Sequence, residues 1–522
     1  MPGLPKPARD GVRSFCAVFA VAVSLACASF VENPAWNPDA SAPRSPEATW
    51  HPTEKKVRPQ SLDEILSLIP AAQEPDGSVP ATSAELLEDL EQQLPPSSEA
   101  QPLELAELIG IALSENPRTR QAWRRAQAAA ARLGESMGDY YPTLNLEASG
   151  GAGKFGFEFA DSAVIVRQAQ VEPELQLTYV LLDFGRRTAK AEAARRVLEA
   201  ANYSFNRELQ QVIYEVQAGF YRFDSAQALE QASERNLALA RSVRDDVEER
   251  VRLGLATRPD FLLARQVEAQ AVYDLESART GVFNARAQLA LAMGLPANAP
   301  LHVEPLFDQP LPPQLNEGVD ELIDAALATR PDLRAQVAQL RASKARVAEA
   351  QADFLPTVGL EGGYGAIWWD YSLRGKSVNT AERQRDVYSV YQALVVIEWP
   401  LFEGFKRMNR LRNARAERRE SAARLRELEL EATNQVWSVY YAYQTAWRKY
   451  DYGMALLAAS EEAYEATWES YGAGLSTIDE LLRAERDLAS ARYTLIGSRA
   501  GLLATSAELA FALGEVTAGV RR

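Results

Sequence analysis

The side chains best suited to chemistry are scarce in this chain and badly placed for it. Only two histidines occur, His51 and His302, both in proline-rich surroundings outside the repeated part of the sequence, so histidine catalysis and histidine-ligated metals are not expected. Both cysteines, Cys16 and Cys27, fall within the first 28 residues, and the remainder can form neither a disulfide nor a cysteine metal site. Carboxylates abound, but none stands in a recognisable constellation with a nucleophile, a metal cluster or a phosphate-binding glycine loop. Gly150-Gly151-Ala152-Gly153 lies in a predicted strand rather than the strand-loop-helix setting of a nucleotide site. No enzyme activity, cofactor or metal is expected.

One cysteine carries chemistry of another kind. Lys6, Arg9 and Arg13 precede an apolar run from Phe15 to Leu25 and the small residues Ala26-Cys27-Ala28, which reads as a secretory signal over 1–28. Ala26-x-Ala28 suits ordinary signal peptidase, whereas Val23-Ser24-Leu25-Ala26-Cys27 suits lipoprotein processing, with Ser24 where leucine is usual. Cys27 is therefore either a candidate for lipidation or a small residue discarded with the peptide. No other segment approaches the length of a transmembrane helix, so any membrane crossing must use strands. The formal charge is -15, and loss of a signal with three basic residues against Asp10 leaves the exported part more acidic still. Nucleic acid is a poor guess for a partner.

The elements that must position any functional residue are used twice. Glu107-Leu108-Ile109, Ala112-Leu113, Pro117, Ala131-Arg132 and Pro142-Thr143 recur 214 positions later as Glu321-Leu322-Ile323, Ala326-Leu327, Pro331, Ala345-Arg346 and Pro356-Thr357. Past about residue 180 the offset becomes 220, where Gly254-Leu255 and Thr257 match Gly474-Leu475 and Thr477. Solenoid repeats are far shorter, so two pseudo-equivalent halves are expected. The six-residue change of offset falls between the least helical segments. The expected domains are a signal at 1–28, a Pro/Ser/Glu-rich tether at 29–100 that is mostly extended or disordered or else wraps the body, a first repeat at 101–300, a linker at 301–318, a second repeat at 319–516 and a tail at 517–522.

Each half should begin with a helix, from near Leu103 or Val319, broken at Asn116-Pro117 or Arg330-Pro331. A second helix should run to Tyr141 or Leu355 and stop at Pro142 or Pro356. The period then changes to two. Leu144, Leu146, Ala148 and Gly150, then Val171, Pro173, Leu175, Leu177 and Tyr179, form one apolar row against a polar one. Val358, Leu360, Gly362 and Tyr364, then Tyr391, Ala393, Val395, Ile397 and Trp399, form the second, with Tyr179 and Trp399 expected at matching strand ends as interfacial aromatics. After Asp183-Phe184-Gly185 or Glu403-Gly404-Phe405 the helical period returns. Arg186 to Leu253 contains no proline, which predicts a rod on the order of 100 Å long. It should stop at the tip glycine Gly254 (Gly474), turn through Thr257 (Thr477) and return as a helix of about 36 residues to Gly294 (Gly514).

Four amphipathic strands cannot close a barrel, and their free edges cannot be left in a bilayer. Three subunits would supply twelve strands around a lumen lined by the polar row, with the rods continuing that lumen as a helical tube. The fold class is thus mainly α with a transmembrane β-barrel: internally duplicated long α-helical coiled coils, four β-strands per chain, and a trimer forming a 12-stranded barrel and a periplasmic α-barrel. A structural coiled-coil scaffold of the cell envelope is the alternative, but it leaves the two hairpins unexplained.

The order helix, Asn-Pro break, helix and Tyr141-Pro142-Thr143-Leu144 strand start, the strand exits Leu182-Asp183-Phe184-Gly185 and Trp399-Pro400-Leu401-Phe402-Glu403-Gly404, and the turns Gly254-Leu255-Ala256-Thr257 and Gly474-Leu475-Ser476-Thr477 resemble the TolC-like outer-membrane efflux proteins over residues 103 to 515. The resemblance implies a homotrimer in outer-membrane lipid, docked to a periplasmic adaptor and an inner-membrane pump, which passes drugs, metal ions or polypeptides without chemistry. It also implies a periplasmic gate. Glu480 falls on that family's innermost acidic position, Tyr471 on a tyrosine that braces the closed state, and Asp260 on an acidic partner in the first half. Rings of like charge in a narrow pore attract cations. Two residues depart from the pattern: Ser476 stands where an arginine brace is found, and Arg483 where a second acidic ring would be. Arg483 is expected to pair with Glu480 or Glu485 and to weaken cation selectivity.

Overall fold

The computed structural model describes residues 42–51, 103–159, 162–299, 301, 303, 311–375 and 384–515. The signal, Cys27, most of the tether, His302 and the tail lie outside the described residues.

The same series of elements occurs twice. In the first half it runs α1 (Leu105–Glu115), α2 (Pro117–Gly138), β1 (Thr143–Phe159), β2 (Ser162–Leu182), α3 (Arg186–Arg252) and α4 (Arg258–Met293). In the second it runs α5 (Val319–Thr329), α6 (Pro331–Ala352), β3 (Thr357–Gly375), β4 (Gln384–Glu398), α7 (Lys406–Gly472) and α8 (Ile478–Leu513). The breaks at Asn116 and Arg330 are as expected, since both precede proline and adopt extended backbone. Helices α2 and α6 end three residues earlier than expected, at Gly138 and Ala352, because the chain leaves helical geometry before Pro142 and Pro356 can clash with the turn behind them.

The four strands form one antiparallel sheet in the order β1-β2-β3-β4. Its register bears out the apolar row: Leu144 faces Leu177, Leu146 faces Leu175, Ala148 faces Pro173 and Gly150 faces Val171. The row continues through Leu175 opposite Tyr364 and Leu177 opposite Gly362, then Tyr364 opposite Tyr391 and Leu360 opposite Val395. One apolar face therefore spans both repeats. The expected aromatic match is displaced. Tyr179 lies inside β2, opposite Leu360, because a bulge carries β2 on to Leu182. Trp399 falls one residue past β4, where Pro400 can no longer donate to a ladder, and its indole donates to the Phe354 carbonyl at 3.2 Å. Thr143 pairs with Thr178 and Thr357 with Glu398, which places the six-residue offset change inside the second hairpin.

Matched corners join strands to rods. Phe184 and Gly185 both have positive φ, as do Gly404 and Phe405; two left-handed residues in succession swing each strand into its helix. Asp183 accepts hydrogen bonds from the Arg187 amide at 2.8 Å and its Nε at 3.0 Å. Glu403 pairs with Arg407 at 2.9 Å in the second half.

Rods α3 and α7 each span 67 residues, roughly 100 Å at helical rise. Their waists bury α1 and α5. Leu108 and Ala112 pack with Val212, Val216 and Phe220 of α3 and with Leu289 and Met293 of α4. Leu322 and Ala326 pack with Val436 and Tyr443 of α7 and with Leu509 and Ala512 of α8. Gly294 and Gly514 admit the broken helices closely: a Cβ on Gly294 would lie 2.7 Å from the Asn116 Cα, and one on Gly514 3.1 Å from the Arg330 Cα. The tether is not wholly detached from the body, because residues 42–51 pack on α2 and α3, with Ala42 buried beside Ala126, Leu133 and Leu198.

Candidate functional site: the tip of the rods

The far ends of the rods are built by two copies of one local device. Gly254 and Gly474 have φ of 75° and 73°, a conformation open to glycine at little cost. The Leu255 amide bonds the Arg250 carbonyl at 2.8 Å and the Gly254 amide the Val251 carbonyl at 3.1 Å, with Leu475 to Ser470 at 2.9 Å and Gly474 to Tyr471 at 3.1 Å. These paired bonds consume carbonyls that the helix ends would otherwise orphan. The turn leaves Leu255 and Leu475 in solvent, 73% and 84% exposed.

The return helices are capped reciprocally. The Asp260 amide bonds the Thr257 hydroxyl at 3.4 Å while the Asp260 carboxylate accepts from the Thr257 amide at 2.8 Å. In the second turn the Glu480 amide bonds Thr477 Oγ1 at 3.3 Å and the Glu480 carboxylate accepts from the Thr477 amide at 2.8 Å. The Ser476 hydroxyl adds a 2.5 Å bond to the same carboxylate oxygen. Glu480 is thereby held ionised: the Ser476 hydroxyl first, then the Thr477 amide, push its pKa below the usual glutamate value, with a smaller contribution from Arg483. Thr-x-x-Asp and Thr-x-x-Glu are readable capping boxes; sequence reasoning took these acids for their charge and missed their part in starting the helices.

The two hairpins meet in a shared apolar cluster. It joins Val243 and Val247 of α3, Ala264 of α4, Tyr471 of α7 and Leu481 and Leu482 of α8. Across it the Arg250 guanidinium sits 4.7 Å from the Tyr471 ring centroid and donates to the carbonyls of Tyr471 and Gly472 at 3.4 and 3.5 Å. Asp246 holds Arg250 from the same helix at 2.8 Å. Tyr471 is buried, its phenol pushed up by desolvation, with Arg250 acting in the opposite direction and Asp246 and Asp260 near enough to be felt. Tyr471 and Asp260 are thus brought together. Arg250 was missed, although its basic charge four residues after Asp246 marks an i,i+4 pair.

Arg483 is exposed and Glu485 only 5% exposed, on different faces of α8; the expected Arg483–Glu485 pairing fails because residues two apart do not share a helix face. Glu485 occupies the apolar stripe Ile478, Leu481, Leu482 and Leu488. Its Oε2 has no hydrogen-bond partner, and burial raises its pKa to about 7 against a small opposing effect of Arg486. Burial, with help from the Glu485 charge, also pushes Tyr464 on α7 to about 12. A carboxylate at a stripe position was the sequence signal, and it went unread.

The sequence model of the family described as Outer membrane efflux protein matches residues 108–295 and 322–515. The chain is 30% identical to Protein CyaE of Bordetella pertussis over 425 residues, 81% of this chain and 86% of that protein. Among solved structures it is similar to the outer-membrane channel OprN, with TM-score 0.68 at 24% identity over 79% of this chain and 90% of the other. It is likewise similar to VceC of Vibrio cholerae, with TM-score 0.66 at 20% identity over 78% of this chain and 96% of the other.

Proposed function

This chain belongs to the outer membrane efflux protein family, a family of channels, and from that footing we propose how its geometry makes an exit duct with a gate. As a member it is an outer-membrane exit channel with a long periplasmic extension, working with a periplasmic adaptor and an inner-membrane pump. The observation that carries the reading is a four-stranded sheet with one continuous apolar face and two unpaired edges, β1 and β4, standing on rods of 67 residues. Unpaired strand edges are untenable in hydrocarbon. Three copies close twelve strands edge to edge, with Glu147, Glu174, Gln176 and Glu361 of the polar row toward the lumen, and cargo passes unaltered.

The gate lies at the tip. Arg250 clasped on Tyr471 supplies the brace that Ser476 cannot, Asp260 and Glu480 supply negative charge at the two turns, and the exposed Leu255 and Leu475 offer apolar knobs to the adaptor. Residues 101–300 and 319–516 act as two equivalent halves around this tip, and Cys27 is read as a lipid attachment point. Detergent-purified protein should run as a heat-resistant trimer and conduct in planar bilayers. A water-soluble monomer or elongated dimer without conductance would instead favour an envelope scaffold.

A further inference from the structure

Residues 42–51 touch the body in a way the channel function does not require. The Asn206 side chain of α3 reads both backbone groups of Trp50: its Oδ1 accepts from the Trp50 amide at 2.8 Å and its Nδ2 donates to the Trp50 carbonyl at 2.7 Å. That is the pattern by which a neighbouring strand recognises an extended residue, supplied here by one amide side chain. Seven residues upstream of Trp50, the indole of Trp123 on α2 donates to the Pro43 carbonyl at 2.7 Å. The Trp50 ring meets Tyr203 edge-on at 5.2 Å and packs with Ala122, Phe205 and Leu209. Ala42 fills a slot beside Ala126, Ala130 and Leu198, where only small helix side chains leave room for a third chain.

The second half is an internal control. Positions equivalent to Trp123, Ala126, Ala130, Tyr203 and Asn206 hold Val337, Leu340, Lys344, Ala423 and Arg426. The aromatic wall, the amide reader and the small floor are all absent there. Packing two helices does not demand these groups, since α6 and α7 pack without them.

We propose that the α2–α3 groove is a peptide-recognition site for an extended, tryptophan-bearing segment, filled in cis by residues 42–51, which moors the N-terminal arm to the first half of the channel. The mooring has a direction. Ala42 lies level with Leu198, about 18 Å along α3 from the sheet, and Trp50 level with Phe205 farther away. From Ala42 to Trp50 the segment therefore runs away from the sheet and toward the tip.

Hydrogen–deuterium exchange on the full-length protein in detergent, with trypsin cleavage after Arg44 as a second readout, tests this. In the wild type the peptide covering Trp50 should exchange at least tenfold more slowly than an unstructured chain. Trp50→Ala and Asn206→Leu should each remove that protection and speed cleavage after Arg44 at least tenfold, with exchange across Val212–Phe220 unchanged. If Asn206→Leu also loosens that waist, Trp50→Ala, which lies outside every helix, decides. Unprotected exchange in the wild type, or variants that leave both readouts unmoved, would overturn the proposal. Conductance is not part of the readout, so failure here leaves the channel assignment untouched.

Discussion

Arg250 on α3 lies over the ring of Tyr471 on α7, so a cation–π contact adds to the apolar cluster and hydrogen bonds that tie the two halves together at the end farthest from the sheet. Its worth is about 1 kcal/mol, or roughly a fivefold change in an open-to-closed ratio per protomer. Arg250→Ala should raise single-channel open probability by at least that factor. Arg250→Lys keeps the charge but loses the flat guanidinium face, and should fall between the two. Equal open probability in all three proteins would remove the contact from the gate.

At Glu480, capping and charge can be separated. Gln retains the acceptor that closes the box with Thr477 and loses only the charge. Glu480→Gln should therefore lower cation preference in planar bilayers with only a small loss of thermal stability, since the exposed carboxylate's charge-assisted bonds become neutral ones. Thr477→Ala should do the reverse, costing about 1 kcal/mol as a lost cap with selectivity intact. A Glu480→Gln channel of wild-type selectivity would leave this carboxylate a purely structural residue.

The buried Glu485 gives the tip a pH dependence of definite sign. Its pKa rises from 4.5 to about 7 on folding, so in that window the folded state holds the proton that the unfolded state has lost. Stability should fall as pH rises from about 4.5 to about 7 and level off above, by an amount on the order of 3 kcal/mol per protomer. Glu485→Gln should flatten the profile and stabilise the protein at pH 8. Denaturation midpoints measured between pH 4 and 8 check both, and a wild-type profile without a decline would contradict the burial argument.

Two glycines of similar φ separate backbone strain from crowding. Gly254 (φ 75°) has nothing within 4 Å of an added Cβ, while Gly294 (φ 81°) has Asn116 Cα at 2.7 Å and Pro117 Cδ at 2.9 Å. Gly254→Ala should cost about 1 kcal/mol from conformation alone. Gly294→Ala must also push the broken helix away and should cost at least 1 kcal/mol more. Equal losses of melting temperature would mean that the α1–α2 corner yields freely.

Much of the architecture was legible in the residues because it rests on local rules. Period two against period 3.6, proline after Asn116 and Arg330, and glycine at 254, 294, 474 and 514 are each decided within a few residues of chain. The duplication made every such signal visible twice. The tip was only partly legible: the turns and their acids were found, but the partner of Tyr471 was not. Tyr471 meets Arg250 221 residues away, and no spacing announces such a pair.

The sequence by itself determined the elements, their order and which face of each strand is apolar, since hydrophobic period and backbone sterics act between near neighbours. Only the tertiary structure decided that the Asn206 side chain binds Trp50, that Arg250 sits on the Tyr471 ring, and that Glu485 loses its water. Those outcomes depend on which side chains four long helices bring to the same level, and that alignment is set by packing summed along the rods rather than by any residue's own neighbours.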